Sequence, residues 1–157
     1  MTMTQTLETV EVRRQFDHPA GLVWVLTGDF GGLQNWLPGV TGVTVTGSGA
    51  RQEGGNAERA VQLLDGSVTR ESLESRDEAA MCYEYAILSM PGFKEGQVYT
   101  ARFQVKPLTS ADAERCEVIW SATFSVPEDF SADQVAKARS RVEQMYGFFL
   151  THLAGLL

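Results

Sequence analysis

A change of hydrophobic period at Pro127 constrains this chain more than any other feature. Before it, apolar residues mostly alternate with polar ones. After it, Val135, Ala138, Val142, Met145, Tyr146, Phe149, Leu153 and Leu156 recur at helical spacing over the last turns of the chain. Ser131 stands where an N-cap is wanted. One long amphipathic helix must bury its stripe, and nearly everything ahead of it reads as strand. The cover must therefore be a sheet that bends around the helix. A sheet bent that strongly need not close completely on the helix, so a cavity is expected between them.

The strands follow from alternation and turn signals. Residues 7–16 form the first, and "VTGVTVTG" is a β-branched second. "GGNAERAVQLLDGSVTRESLESRDE" is a hairpin turning at Asp65-Gly66, followed by a turn at residues 76–78. "AAMCYEYAILSM", "QVYTARFQVKPL" and "CEVIWSATFSV" complete an antiparallel meander, the last two separated by the polar "TSADAE". Between the first two strands, Asp17 or His18 can cap a short helix with Pro19 in its first turn and an apolar repeat at Leu22, Val23 and Leu26. Gly28 ends it, and a second short helical turn is expected near Leu33–Trp36. The fold class is α+β: a curved seven-stranded antiparallel sheet around a long C-terminal helix, with two short helices after the first strand. The whole chain, 1–157, reads as a single domain with residues 1–6 as a flexible start.

Totals exclude several functions. Thirteen basic residues are scattered among twenty acidic ones for a net charge of −7, the wrong balance for a nucleic-acid or anionic-membrane partner. No apolar run reaches the ~18 residues of a membrane span. The start has neither a basic segment nor an apolar one, and two cysteines in apolar stretches, Cys82 and Cys116, read as buried free thiols. A cytoplasmic location is expected. Neither His18 nor His152 has a ligand partner at metal spacing, so no metal is expected. Without GxxxxGK[ST], GxGxxG or GxSxG, no cofactor and no nucleophile elbow is expected either.

The runs "PAGLVWVLTGDFGGLQNWLPGV", "ERAVQLLDGSVTRESLESRDE", "YEYAIL" and "VIWSATF", with the terminal helix, resemble the START-like, helix-grip superfamily over residues 7–157. The resemblance is greatest to its bacterial polyketide cyclase/dehydrase-like members, with the birch-pollen-allergen proteins and abscisic-acid receptors further off. It implies an apolar cavity between sheet and helix. It also implies a range of functions, from carriage and sensing of lipids and hormones to polyketide cyclisation and dehydration. In the abscisic-acid receptors an inward glutamate at the position of Glu71 belongs to the ligand site.

Strand parity proposes the inward face. Arg59, Val61 and Leu63 share a side, as do Glu71 and Leu73; Tyr83, Tyr85 and Ile87; Tyr99, Ala101 and Phe103; and Trp120, Ala122 and Phe124. Met145, Tyr146 and Phe149 join them from the helix. Apolar walls with a few polar tips suit a small-molecule pocket, although an aromatic inward face also serves as plain core. Counted outward from Asp65-Gly66, Arg59 and Glu71 fall opposite one another. Either they form a structural ion pair or they anchor the polar end of a ligand. As catalytic candidates they have the right types: Glu71 as base, with Arg59, Tyr85 and Tyr99 stabilising an oxyanion.

The glycine-rich "GDFGGLQNWLP" (residues 28–38) cannot cradle phosphate. It ends a helix, contains no basic residue and runs into Pro38 and a strand. Asp29 suits an Asx turn. Trp36, with Leu33 and Leu37, is expected at the cavity mouth, as a gate over the pocket or as a plug completing the core. The favoured function is binding of a small hydrophobic molecule, aromatic or lipid-like, as carrier or sensor. The alternative is a polyketide cyclase or dehydratase using Glu71, Arg59 and tyrosines. The protein is expected as a monomer or homodimer, with Phe130 or Leu37 as possible contacts.

Overall fold

In the computed structural model, which describes residues 5–109 and 112–157, seven strands form one antiparallel sheet. They are β1 (Gln5–Phe16), β2 (Val40–Thr46), β3 (Glu58–Leu63), β4 (Val68–Asp77), β5 (Cys82–Ser89), β6 (Tyr99–Thr109) and β7 (Asp112–Pro127). Their spatial order is β1-β7-β6-β5-β4-β3-β2, so a six-strand meander is completed by β1 lying beside β7. β1 reaches further forward than expected: Gln5 and Thr6 pair with Pro127 and Val126 and belong to the sheet rather than to a flexible start. β4 also takes in Arg76 and Asp77, pushing the turn to residues 78–81. Part of the polar stretch 109–114 lies outside the described residues. Its flanks pair Thr109 with Asp112.

The long helix α2 (Ala132–Leu156) starts with a capping box. Ser131 Oγ accepts from the Gln134 N–H, and the Gln134 side chain accepts from the Ser131 N–H, so two otherwise orphaned donors are satisfied. Its buried row is Tyr146, Leu150 and Leu153. Leu156, expected on the inward stripe, is exposed, because the buried row runs 146-150-153 and Leu156 stands to one side of it.

The short helix α1 (Ala20–Thr27) begins after Pro19 with no side-chain cap; neither Asp17 nor His18 supplies one. It buries Ala20, Val23, Trp24 and Thr27, while Leu22 points to solvent. Gly28 ends it under the Trp24 indole, where an added Cβ would lie 2.5 Å from ring carbons. The second helical turn is a 3-10 turn at Leu33–Asn35, and another 3-10 turn occupies Arg51–Glu53 after β2. Phe130 and Leu37 are half-buried and pack against the core. Among the described residues no helix is long and apolar enough to cross a membrane.

Candidate functional site

The β3–β4 hairpin sets the first half of the site. Gly66 takes φ +85°, the left-handed conformation such a turn needs, and the register that follows places Arg59 directly opposite Glu71. Both side chains point inward and are buried, Arg59 at 2% exposure and Glu71 at 8%. Arg59 Nε donates to Glu71 Oε1 at 2.7 Å, and Nη2 lies 2.7 Å from the same oxygen as an ion pair. Arg59 Nη1 donates to the Phe30 carbonyl at 3.0 Å, and the guanidinium lies 4.3 Å from the centre of the Phe30 ring and 5.0 Å from that of Tyr85. Glu71 Oε2 takes no hydrogen bond from a described residue. Burial works against the Arg59 charge, but the Glu71 carboxylate outweighs it and holds the guanidinium pKa above its ordinary value.

Phe30 comes from the glycine-rich loop, whose function is thereby explained. Asp29 Oδ1 accepts the Gly31 N–H at 3.1 Å, the expected Asx turn. The turn aims both the ring and the carbonyl of Phe30 at Arg59. Nothing local in the sequence marks Phe30 for this role; the contact spans 29 residues and exists only in the folded chain.

Above the ion pair the sheet and α2 enclose a cavity of about 160 Å³. β3 contributes Arg59, Val61 and Leu63, β4 contributes Thr69 and Glu71, and β5 contributes Tyr83, Tyr85 and Ile87. Tyr99, Trp120, Met145, Tyr146 and Phe149 close the other side, with Leu33, Leu37 and Met90 at the ends. Strand parity had singled out Tyr83, Ile87 and Leu63 as inward. Thr69 shares parity with Glu71 and was legible by the same rule, whereas Met90 lies beyond the end of β5, where alternation stops.

Two of the expected lining residues sit elsewhere. Trp36 is 1% exposed and packs behind the cavity, its ring 5.5 Å from Phe103 and 5.8 Å from Trp120 between centroids. Phe103 is fully buried in the same layer. Neither lines the cavity: Trp120 and the tyrosines stand between them and the open space. Trp36 is core filling, not a gate.

The polar tips form a chain of hydroxyls. Trp120 Nε1 donates to Tyr85 Oη at 3.2 Å, Tyr99 and Tyr146 share a hydrogen bond, and the Trp120 and Tyr146 rings stack at 4.1 Å with 7° between planes. Burial pushes Tyr83, Tyr85 and Tyr146 upward and Tyr99 up to about 12. These are all four tyrosines of the chain. The phenols are therefore neutral donors and acceptors, not phenolates. A raised folded pKa leaves stability intact below the ordinary value of 10 and removes it as pH climbs from there towards 12. A near-ultraviolet pH titration is expected to show no phenolate below pH ~10.5 and then ionisation together with loss of the native circular dichroism. Four independent phenols ionising near pH 10 in folded protein would contradict this burial.

The two cysteines are free and buried, their thiols pushed up by burial, Cys116 to about 11. Among the described residues no group of three or more His, Cys, Asp or Glu could hold a metal ion.

A bent antiparallel sheet gripping a terminal helix over an apolar chamber is the helix-grip architecture of START-like proteins. The chain belongs to the family described as polyketide cyclase / dehydrase and lipid transport, which it matches over residues 8–157. A protein of known structure from Bacillus thuringiensis is 26% identical, covering 95% of this chain and 98% of its own with a TM-score of 0.75. The ZhuI aromatase/cyclase from Streptomyces sp. R1128 is 18% identical over 96% of this chain and 90% of its own, with a TM-score of 0.65. A START superfamily protein from Mycobacterium smegmatis is 15% identical over 94% and 92%, with a TM-score of 0.62. These last two likenesses show the fold alone. No curated protein sequence matches the chain.

Proposed function

We propose that this protein binds a ring-sized hydrophobic molecule with one hydrogen-bonding group, as a carrier or sensor. The observation that supports this is the chamber itself: about 160 Å³, walled by aromatic and aliphatic side chains, with tyrosine hydroxyls and Glu71 Oε2 as its polar points. An apolar cavity of about 150 Å³ takes up benzene, so the volume suits one ring and not a fused polycycle. The arrangement favours binding over catalysis. Arg59 spends its donors on Glu71 and the Phe30 carbonyl, leaving little to polarise a substrate carbonyl.

Phenol is expected to bind about fivefold more tightly than toluene, since one satisfied hydrogen bond is worth roughly 1 kcal/mol. Methyl resonances of Val61 and Ile87 should shift on addition of either. Leu37→Trp, which projects bulk into the chamber from its half-buried end, should weaken both. Phenol that leaves the Val61 and Ile87 methyls unmoved is not in the chamber, and the reading fails. A cyclase or dehydratase is the second reading, favoured by one feature: Glu71 Oε2 stands open beside the tyrosines as a proton acceptor. Under it, Glu71→Gln would abolish turnover while leaving phenol affinity in place.

A further inference from the structure

A second, larger space adjoins the chamber. It is a groove of about 410 Å³ between α2 and the 90–98 connection, with walls that include Phe93, Phe124, Phe130 and Val142. Met90, Tyr99 and Met145 line both spaces and form the partition between them. Met145 is 40% exposed and unbranched, so it can swing aside at low cost.

The groove has an electrostatic sign. Its lining contains no Asp or Glu, and its cation is Arg141. On the same helix Lys137 pairs with Asp133, and Arg139 pairs with Glu8. Arg141 makes no ion pair among the described residues. On a chain of net charge −7, an apolar groove free of acids with an uncompensated guanidinium is complementary to an amphiphile with an anionic end. The inner chamber has the opposite character: its own arginine is already neutralised by Glu71, so it offers nothing to a carboxylate and suits a ring.

We infer that the ligand is elongated, of the aryl-alkanoate class: its ring occupies the inner chamber, its chain passes between Tyr99 and Met145, and its carboxylate meets Arg141. This rests on the ring-binding reading above and extends it to the groove.

The test uses ω-phenylalkanoates of increasing chain length, their primary amides, and phenol as the ring-only probe, with affinities from calorimetry. On the wild-type protein the acids should gain up to about fourfold per buried methylene until the chain spans the groove. Arg141→Gln should weaken the long acids about three- to fivefold, the scale of a half-exposed ion pair. It should leave the long amides and phenol unchanged. Val98→Trp, at a 43% exposed position that lines the groove but not the chamber, should abolish the gain with chain length while phenol still binds. A flat chain-length series, or long acids indifferent to Arg141→Gln, overturns the elongated ligand when phenol binds normally. Failure of phenol to bind the wild-type protein counts instead against the ring-binding reading.

Discussion

Arg59→Met is expected to lower the unfolding free energy by about 3–5 kcal/mol, measured by urea denaturation near neutral pH. The size of the effect comes from what is left behind rather than from what is lost. Glu71 is 8% exposed, and its Oε1 is held by Arg59 through a hydrogen bond from Nε and an ion-pair contact with Nη2. Without the guanidinium the carboxylate stays in an apolar chamber with no cation against it. The Phe30 carbonyl also loses its partner, and the Phe30 ring loses the cation above it. Removing both charges together avoids the uncompensated carboxylate, so Arg59→Met/Glu71→Leu should recover most of the loss. Two independent losses that simply add would show that the charges are not coupled. The double variant keeps the chamber apolar and makes its polar end vanish. It therefore also separates binding from stability: phenol should weaken there, while toluene should not.

How much of this site was legible depended on the range over which each signal acts. Arg59 opposite Glu71 followed from two local facts, the Asp65-Gly66 turn and the two-residue period of a strand. The structure reproduces that register. Bulges between Arg70 and Glu71 and between Leu73 and Ser75 then set which β5 residues face β4, and no local pattern announces a bulge there. Leu150 was overlooked and Leu156 overvalued for a related reason. Both are leucines near the edges of a helical stripe, and only the position of the sheet decides which row is buried. Phe30 beneath Arg59, and the groove formed by the 90–98 connection, depend on contacts between distant parts of the chain. Composition and period carry no trace of them.

Trp36→Ala is the second large effect, and it distinguishes a plug from a gate. A gate residue at a solvent-facing mouth would tolerate truncation, as exposed positions do, within about 0.5 kcal/mol. Trp36 instead fills the layer between Phe103 and Trp120 at 1% exposure, so truncation should cost about 3–5 kcal/mol through the lost burial and the hole left behind. Its indole contains a further clue. Trp36 Nε1 is the buried side-chain donor among the described residues that has no hydrogen-bond partner. A desolvated, unpaired N–H carries a penalty of roughly 1–3 kcal/mol that phenylalanine would not pay. Trp36→Phe should therefore cost less than about 2 kcal/mol, below what the lost volume alone suggests. Phenol affinity should be nearly unchanged in Trp36→Phe, because Trp120 and the tyrosines, not Trp36, face the chamber. In Trp36→Ala the new space lies directly behind Trp120. If that ring turns into it, the chamber grows, and two-ring probes such as naphthol should gain on phenol. A Trp36→Phe variant as destabilised as Trp36→Ala, or one that releases phenol faster, would return the residue to the mouth of the cavity.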